Sequence, residues 1–224
     1  MNPFASRCIR PDNNFYRFAC DAKTDGLLRR QASERLLTML RVDRRAAIVG
    51  PHGTGKSTLL GWLEPLLRAE FRHVVRTLLT SEKRHAASDL WGLVDDLAAP
   101  TLPSVCLIVD GFEQLRSWDR LRLMHRAGRR KNVALLVTCH QSLWRMRPFW
   151  KTAWDADLSR SLTQDKMHDL PSEDRRELLS MYDQRLQQRD FRTLNLRDLW
   201  FDLYDDYEMM KLRRRNDRQE SPSI

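Results

Sequence analysis

The sequence has no long hydrophobic run, and its cysteines do not occur at the spacing of a metal site. No apolar stretch approaches the roughly 20 residues that a membrane-spanning helix needs, and the first residues lack the apolar core of a signal peptide. The four cysteines (Cys8, Cys20, Cys106 and Cys139) show no metal-ligand pattern. These absences disfavour a membrane protein, a secreted protein and a zinc module. They predict a cytoplasmic protein with reduced thiols.

One segment of the chain carries a complete motif. Gly50-Pro51-His52-Gly53-Thr54-Gly55-Lys56-Ser57 has two glycines separated by four residues, followed by Lys and Ser. This pattern is typical of a phosphate-binding loop, because its glycines let backbone N–H groups face an anion at the start of a helix. The apolar run before it suits a buried strand, and the residues after it can begin a helix. A chance match in a glycine-rich turn is the alternative. The predicted nucleotide-binding residues are Gly50, Pro51, His52, Gly53, Thr54, Gly55, Lys56, Ser57 and Thr58.

A second segment supplies an acidic partner for this loop. Val105–Val109 is apolar without alternation, which indicates a strand buried on both faces of a parallel sheet. Asp110 follows at the edge where such sheets bind ligands. We predict that Lys56 reaches the terminal phosphates of a nucleotide and that Ser57 and Asp110 hold Mg²⁺. An Asp that only ends a strand in a turn is the alternative.

The remaining pattern predicts an α/β fold. Strands are expected at His73–Leu79 and Val133–Thr138, and helices from Asp25 to about Leu40, over 82–98 and over 113–130. The helix after the loop is expected to bend or end at Pro65. Strands alternating with helices predict a three-layer arrangement around a mainly parallel sheet. Residues 143–165 are less regular, and we expect a short helix and a final strand near Ala156–Thr163.

The chain divides into four expected segments. They are an irregular N-terminal arm (1–25), a nucleotide-binding domain (26–165), a small helical, lid-like subdomain (166–210) and a basic tail expected to be disordered (211–224). The arm contains Phe4, Phe15, Tyr16 and Phe18, and it either covers the domain or forms a wall of an adenine pocket. In the subdomain, apolar residues recur at helical spacing after Asn195, which is a plausible N-cap.

These motifs together resemble the additional-strand branch of the P-loop ATPases, which includes the AAA+, STAND/NACHT and ABC families. The resemblance covers residues 46–140. It rests on the loop (Walker A), on the strand that ends at Asp110 (Walker B) and on an extra strand that ends in a polar residue. Most AAA+ proteins place a catalytic Glu directly after the Walker B Asp, where this chain has Gly111. NACHT-type ATPases carry Asp, a small residue, an apolar residue and then an acid, and Glu113 matches that later acid.

The resemblance implies roles for residues outside the loop. Glu113 would orient or deprotonate the attacking water, and Thr138 would be the polar sensor at the end of the extra strand. His140 stands where a switch histidine can lie. Arg197, in Asn195-Leu196-Arg197-Asp198, resembles the lid-helix arginine of AAA+ proteins that reaches the γ-phosphate. The alternatives are that Glu113 caps a helix and that the others are surface residues.

The predicted function is ATP binding with slow, Mg²⁺-dependent hydrolysis of the β–γ bond. ATP is favoured over GTP because the chain has no guanine-reading Asn/Thr-Lys-x-Asp motif, and a small-molecule kinase is disfavoured because nothing resembles an arginine-rich substrate lid. The rival hypothesis is a nucleotide-gated module that binds DNA or a protein, with incidental turnover. The net charge of +9 admits a nucleic-acid partner, and a protein partner or a homo-oligomer stays open. The tail cations are Lys211, Arg213, Arg214, Arg215 and Arg218.

Overall fold

The computed structural model describes residues 2–9, 14–80, 87–97, 104–189 and 194–220. Within these ranges the helices are α1 (Ala22–Val42), α2 (Lys56–Glu70), α3 (Ala87–Leu97), α4 (Ser117–Arg129), α5 (Ala156–Lys166), α6 (Ser172–Gln188) and α7 (Leu196–Glu220). The strands are β1 (Arg45–Val49), β2 (His73–Leu78), β3 (Val105–Asp110), β4 (Val133–Cys139) and β5 (Pro148–Lys151). A 3₁₀ helix, Phe112–Gln114, separates β3 from α4.

The strands form one parallel sheet in the order β2-β3-β4-β1-β5. β4 lies between β1, which leads into the glycine-rich loop, and β3, which ends at Asp110. The strand order therefore contains the additional strand that the sequence predicts. Because all these strands run in one direction, their carboxyl ends, with the loop and Asp110, meet at one edge of the sheet.

The uninterrupted apolar character of the central strands reflects burial on both faces of the sheet. All residues of β3 and β4 are buried. Side chains alternate between two clusters: Leu107 and Val109 pack on the side of α3 and α4, while Cys106 and Ile108 pack on the side of α1 and α2. The predicted three-layer α/β architecture is thus confirmed.

The region before the C-terminal helices differs from the prediction. The final strand lies at Pro148–Lys151, whereas the residues expected to form it belong to helix α5. Two local interactions explain the helix. The carboxylate of Asp155 caps it by accepting a hydrogen bond from the N–H of Leu158 at 2.8 Å, and the hydroxyl of Thr163 donates to the Ser159 carbonyl one turn earlier. The β-branched residue therefore stays compatible with a helix.

Two helices also differ in detail from the prediction. The structure continues α2 through Pro65 to Glu70, although proline has no N–H to donate to the Gly61 carbonyl. The helix expected over 113–130 is divided into the 3₁₀ turn and α4, and α4 begins only at Ser117. Of the helix expected over 82–98, the part from Ala87 to Leu97 is helical, and its first residues lie outside the described part of the chain.

The C-terminal helices form a third apolar cluster with the N-terminal residues. Phe4 and Ile9 are buried against α6 and α7, where Tyr182 and Trp200 also lie. The hydroxyls of Ser159 and Tyr182 are hydrogen-bonded, and the indole N–H of Trp200 donates to Thr163 at 2.9 Å. These buried polar contacts join α5, α6 and α7 into one unit.

The expectation of a disordered tail from residue 211 is wrong for residues 211–220, because α7 extends to Glu220. Two of the tail cations have acidic partners on neighbouring turns or helices. Lys211 lies 3.4 Å from Glu208, and Arg214 forms an ion pair with the largely buried carboxylate of Asp174 on α6. Residues 221–224 lie outside the described residues. Among the described helices, none is long and apolar enough to cross a membrane.

Candidate functional site

A cavity of about 880 Å³ opens at the carboxyl edge of the sheet. The glycine-rich loop and the ends of β3 and β4 form its sheet side. Residues of α5 and of the start of α7 form its helical side, and the N-terminal segment 14–17 contributes a further wall. In open parallel sheets this edge is where ligands bind. The cavity therefore collects the predicted site residues that come from distant parts of the sequence.

The loop between β1 and α2 has the backbone geometry that its glycines permit. Gly53 and Gly55 have positive φ angles of 73° and 83°, a region that residues with a Cβ rarely adopt. A Cβ at Gly53 would also clash with the side chain of Asn195, and its distance to the Cα of Asn195 would be 2.7 Å. A Cβ at Gly50 would clash with Thr152 after β5. The loop is therefore enclosed by two other segments and needs glycine at these positions.

Lys56 is the first residue of α2 and is largely buried, with 9% of its surface exposed. Its ammonium group donates hydrogen bonds to the carbonyls of Gly50 and Pro51 at 2.7 and 2.6 Å. Burial lowers the pKa of Lys56, while the charges of Glu113 and Asp110 act in the opposite direction. The loop thus positions a positive charge near two acidic residues at the helix N-terminus, an arrangement suited to an anionic ligand.

Asp110 is 3% exposed, and described side chains contact both of its carboxylate oxygens. Thr138 Oγ1 donates to Oδ1 at 2.6 Å, and a guanidinium nitrogen of Arg76 lies 3.2 Å from Oδ2. Arg76 is also 3.7 Å from a carboxylate oxygen of Glu64 on α2. The predicted sensor residue Thr138 therefore holds the predicted metal-binding carboxylate in place, and an arginine of β2 neutralises it.

The structure gives a physical reason for glycine after Asp110. Gly111 has a φ of 84°, and a Cβ at this position would lie 2.7 Å from the carbonyl oxygen of Leu79. Its N–H donates to Thr138 Oγ1 at 2.8 Å. A glutamate at this position would be strained and would crowd the neighbouring strand. The acid characteristic of most AAA+ proteins is therefore incompatible with this backbone.

Glu113 reaches the same cavity from the 3₁₀ turn. Its Oε1 lies 3.0 Å from Nε2 of His140, which follows β4, and its Oε2 is buried without a hydrogen-bond partner among the described residues. The ring of His140 also contacts the ring of His52 in the loop, with 3.6 Å between centroids. Helix α4 begins at Ser117 with Arg116 at its N-cap position, and Glu113 lies in the preceding 3₁₀ turn, so the alternative that Glu113 caps α4 is not supported.

The helical side brings the start of α7 to the loop. Asn195 packs against Gly53, and its side chain accepts a hydrogen bond from the Arg197 N–H at 3.1 Å, as predicted for an N-cap. Arg197 lines the cavity and is exposed. No hydrogen bond or ion pair joins its side chain to the residues that the structure describes.

The N-terminal arm divides between the two sides of the molecule. Tyr16 and Phe18 pack edge-to-face with each other, and Phe18 also packs against Trp62 and Trp150 of the nucleotide-binding part. Burial raises the pKa of Tyr16 to about 12. Phe15 is 85% exposed at the cavity, whereas Phe4 packs with the C-terminal helices. The arm is therefore a cover of the domain and a wall of the cavity; that this wall faces an adenine stays a prediction.

The oxygen donors at this site fit a hard cation better than a transition metal. Ser57 and Asp110 line the cavity together, and carboxylate and hydroxyl oxygens are ligands that Mg²⁺ prefers. No group of three or more His, Cys, Asp or Glu among the described residues has the arrangement of a metal site. Mg²⁺ in nucleotide-binding proteins needs only one or two protein ligands together with the phosphates. The residues present therefore fit a Mg²⁺–nucleotide complex.

Sequence reasoning missed two residues that support the site. Arg76 pairs with Asp110, and its signal was a lone charge inside the otherwise apolar and β-branched strand His73–Leu79. Thr152 encloses Gly50, and its hydroxyl is 2.7 Å from that of Thr54. Nothing local in the sequence marks Thr152, because its contact depends on β5 lying beside β1.

Comparisons with known proteins agree with the fold but do not assign a family. No family model matches the chain, and no curated protein matches its sequence. Among solved structures, a chain from the Drosophila ORC bound to DNA is similar, with a TM-score of 0.55 and 11% identity. The similarity covers 83% of this chain and 56% of that one, so this chain spans a little over half of the ORC chain's length.

Two further structures are similar over most of this chain. PCH-2 from C. elegans has a TM-score of 0.49 and 16% identity, covering 89% of this chain and 72% of that one. A Walker-type ATPase from Pyrococcus abyssi has a TM-score of 0.47 and 14% identity, covering 96% and 81%. At these identities the similarity concerns the fold. Taken with the loop and the strand order, the ORC comparison shows that the chain has the fold of a P-loop ATPase.

Proposed function

We propose that the chain binds ATP at the glycine-rich loop and hydrolyses its β–γ bond with Mg²⁺. One observation carries the proposal: Lys56, Asp110 and Glu113, which come from three different elements, line one cavity at the carboxyl edge of the sheet. A cation at a helix N-terminus, a buried carboxylate and a second carboxylate with one unpartnered oxygen are the groups that phosphoryl transfer to water requires.

The loop and Lys56 bind the phosphates in this proposal. The backbone N–H groups at the start of α2 and the ammonium of Lys56 stabilise their negative charge. Ser57 and Asp110 would hold Mg²⁺, which supplies further neutralisation of the phosphate oxygens when bound. Thr138 keeps the carboxylate of Asp110 in position through its 2.6 Å hydrogen bond. Arg76 pairs with the same carboxylate at 3.2 Å, so the cation would share Asp110 with a fixed positive charge.

Glu113 is the proposed general base, and Arg197 is the proposed second cation for the terminal phosphate. A carboxylate at the cavity can accept the proton of the water that attacks the γ-phosphorus as the bond to the bridging oxygen breaks. Glu113 Oε2 is buried and has no hydrogen-bond partner among the described residues, so its capacity to accept a hydrogen bond or a proton is unused. Arg197 reaches the cavity from α7 and can bind phosphate oxygens. ATP is the proposed nucleotide because the chain lacks a guanine-reading motif.

The proposal is tested by Lys56→Ala, with Lys131→Ala as a matched control at an exposed position before β4. Removing the loop cation should weaken ATP binding at least tenfold by calorimetry and abolish turnover, because one charge-assisted contact contributes roughly 1.5–3 kcal/mol. The control should behave as wild type. Equal ATP affinity in all three proteins would overturn the assignment of the loop as a nucleotide site.

A second function is a nucleotide-gated module that binds a nucleic acid or a protein. Two observations favour it: Gly111 replaces the usual catalytic acid, and the chain carries a net charge of +9. Arg129 and Lys131 are exposed at the end of α4, whereas Arg130, Lys211 and Arg214 have acidic neighbours. Because the ORC structure contains DNA, DNA is the first ligand to test.

The two functions predict different responses to DNA. If the chain is a nucleotide-gated module, ATP should change the affinity for DNA, and this binding should weaken steeply with salt. Turnover would then stay low with or without DNA. A turnover rate that depends on Glu113 and is insensitive to DNA favours the ATPase function. A homo-oligomer that forms only with ATP would point to a second copy as the partner.

A further inference from the structure

Three side chains form a continuous contact from the glycine-rich loop to Glu113. His52, inside the loop, packs its ring against His140 with 3.6 Å between centroids and an interplanar angle of 64°. His140 Nε2 is 3.0 Å from Glu113 Oε1. The His140 and Glu113 side chains are 25% and 21% exposed, so solvent reaches them only partly. A residue of the loop is thus two contacts away from the proposed general base.

The strand order explains why these residues meet. β4 lies between β1 and β3, and Val49 pairs with Cys139, so the start of the loop and His140 leave the sheet side by side. On the other flank of β4, Val109 pairs with Val137, which brings the turn after β3 to the same place. Thr138 binds Asp110 and Gly111, and His140 binds Glu113. The end of β4 therefore fixes the turn after β3 at two points.

The two oxygens of Glu113 are in different environments. Oε1 faces His140, while Oε2 is buried and has no hydrogen-bond partner among the described residues. Burial lowers the pKa of His140, and Lys56 and His52 lower it further against the opposing effect of Glu113. Burial therefore favours the uncharged ring, which can donate an N–H to Glu113 without forming a full ion pair. Such a donor orients a carboxylate yet leaves it able to accept a proton.

We infer that His140 is the positioning residue for Glu113 and that His52 links this pair to the glycine-rich loop. The inference rests on the proposed function, since Glu113 acts as a base only if the chain hydrolyses ATP. With Oε1 held by His140, Oε2 is the carboxylate oxygen whose hydrogen-bonding capacity is unused among the described residues. A ligand that moves the loop moves His52, and His52 transmits this movement to His140 and so to Glu113.

A double-mutant cycle tests the positioning role. The variants are Glu113→Gln, His140→Leu, the double variant, and His140→Gln, which keeps an N–H donor near the place of Nε2. Glu113→Gln should lower kcat roughly 10²- to 10⁴-fold. His140→Leu should lower kcat about 10- to 100-fold, because misplacing a catalytic group by about 1 Å can cost 10²-fold. ATP affinity and melting temperature should change little in either variant, and His140→Gln should recover most of the lost rate.

The double variant shows whether His140 acts through Glu113 or independently of it. If His140 acts through Glu113, then adding His140→Leu to Glu113→Gln causes no further loss of kcat. If Glu113→Gln alone leaves kcat unchanged, the proposed base is wrong and the inference falls with it. If Glu113→Gln is slow but His140→Leu turns over like wild type, the proposed function stands and the positioning role is overturned. Losses that multiply in the double variant also overturn it.

The link to the loop has a readout independent of turnover. The chain has six histidines, and their ring signals can be followed by NMR and assigned by substitution. On adding a non-hydrolysable ATP analogue, the signals of His52 and His140 should shift together, while that of His125, exposed on α4, should not. In His52→Leu at saturating analogue, the shift of His140 should be largely lost. An unchanged His140 shift in that variant would overturn the link. Failure of the analogue to bind wild type would overturn the proposed function.

Discussion

The sheet side and the helical side of the cavity hold their charged residues differently. On the sheet side, Lys56, Asp110 and Glu113 each contact fixed groups, namely loop carbonyls, Thr138 with Arg76, and His140. These contacts follow from strand register. On the helical side, Arg197 is exposed and makes no hydrogen bond or ion pair with the described residues.

The α5 residues of the helical side, unlike Arg197, are held by the N-terminal arm. Asp165 forms an ion pair with Arg17 of the N-terminal arm at 2.7 Å, and Lys166 donates to the Cys8 carbonyl at 2.7 Å. The arm therefore fixes part of the helical side, while the start of α7 meets the loop where Asn195 packs against Gly53. We expect substitutions on the sheet side to lower nucleotide binding or turnover strongly. Substitutions on the helical side should have smaller effects on turnover.

Of three further variants, Asp110→Asn should have the largest effect, because it removes a buried charge from the sheet side while keeping an oxygen that accepts from Thr138. We expect turnover to fall roughly 10²-fold, the cost of losing one preorganised electrostatic contact, and the Mg²⁺ dependence of turnover and of ATP binding to weaken. Both are measured by Mg²⁺ titration with a fluorescent ATP analogue.

The control for this experiment is Asp95→Asn, which alters an exposed carboxylate on α3 that pairs with Arg126 at 3.0 Å. It should leave the Mg²⁺ dependence as in wild type, because surface pairs contribute little. If Asp110→Asn and Asp95→Asn respond to Mg²⁺ alike, then Asp110 only ends its strand and has no part in holding the cation.

Gly53→Ala should have an intermediate effect, because it acts at the joint between the two sides. The positive φ of 73° makes any Cβ strained, and the contact with Asn195 leaves no space for it. Strain of roughly 1–3 kcal/mol should lower thermal stability and reduce ATP affinity about tenfold.

The matched control is Gly128→Ala in α4, where a Cβ meets nothing within 4 Å. That variant should be as stable as wild type or slightly more so. If the two variants have equal melting temperatures and equal ATP affinities, the contact between Gly53 and Asn195 does not need close packing.

The sheet side was largely predictable from sequence because its elements have local signals. The apolar runs predicted β3 and β4, and motif spacing predicted the loop and Asp110. The same logic failed at β5, a four-residue edge strand that begins with proline, and at Ala156–Thr163, where a capping Asp155 selects a helix instead. Short elements depend on their neighbours more than on their own pattern.

The contacts between separate elements around the cavity were not predictable from spacing. Arg76 meets Asp110 only because β2 lies beside β3, and Asn195 meets Gly53 only because the helices pack over the loop. Both pairs are far apart in the sequence, and neither belongs to a motif. The predicted roles of Glu113, Thr138 and Arg197 came from a resemblance. The structure adds where each side chain lies, while their roles await the experiments.

Arg197→Ala should have the smallest effect of the three, and it tests the helical side alone. Because Arg197 is exposed and has no ion-pair partner among the described residues, its removal should leave the melting temperature unchanged. If the side chain binds the terminal phosphate, kcat should fall roughly tenfold, which is less than the 10²–10³ typical of a buried donor. The affinity for ADP, which lacks that phosphate, should stay as in wild type.

The control is Arg213→Ala, which alters an exposed position far along the same helix and should turn over normally. Equal losses of ADP and ATP affinity in Arg197→Ala would mean that this arginine binds elsewhere on the nucleotide, and an unchanged kcat would leave it a surface residue of α7.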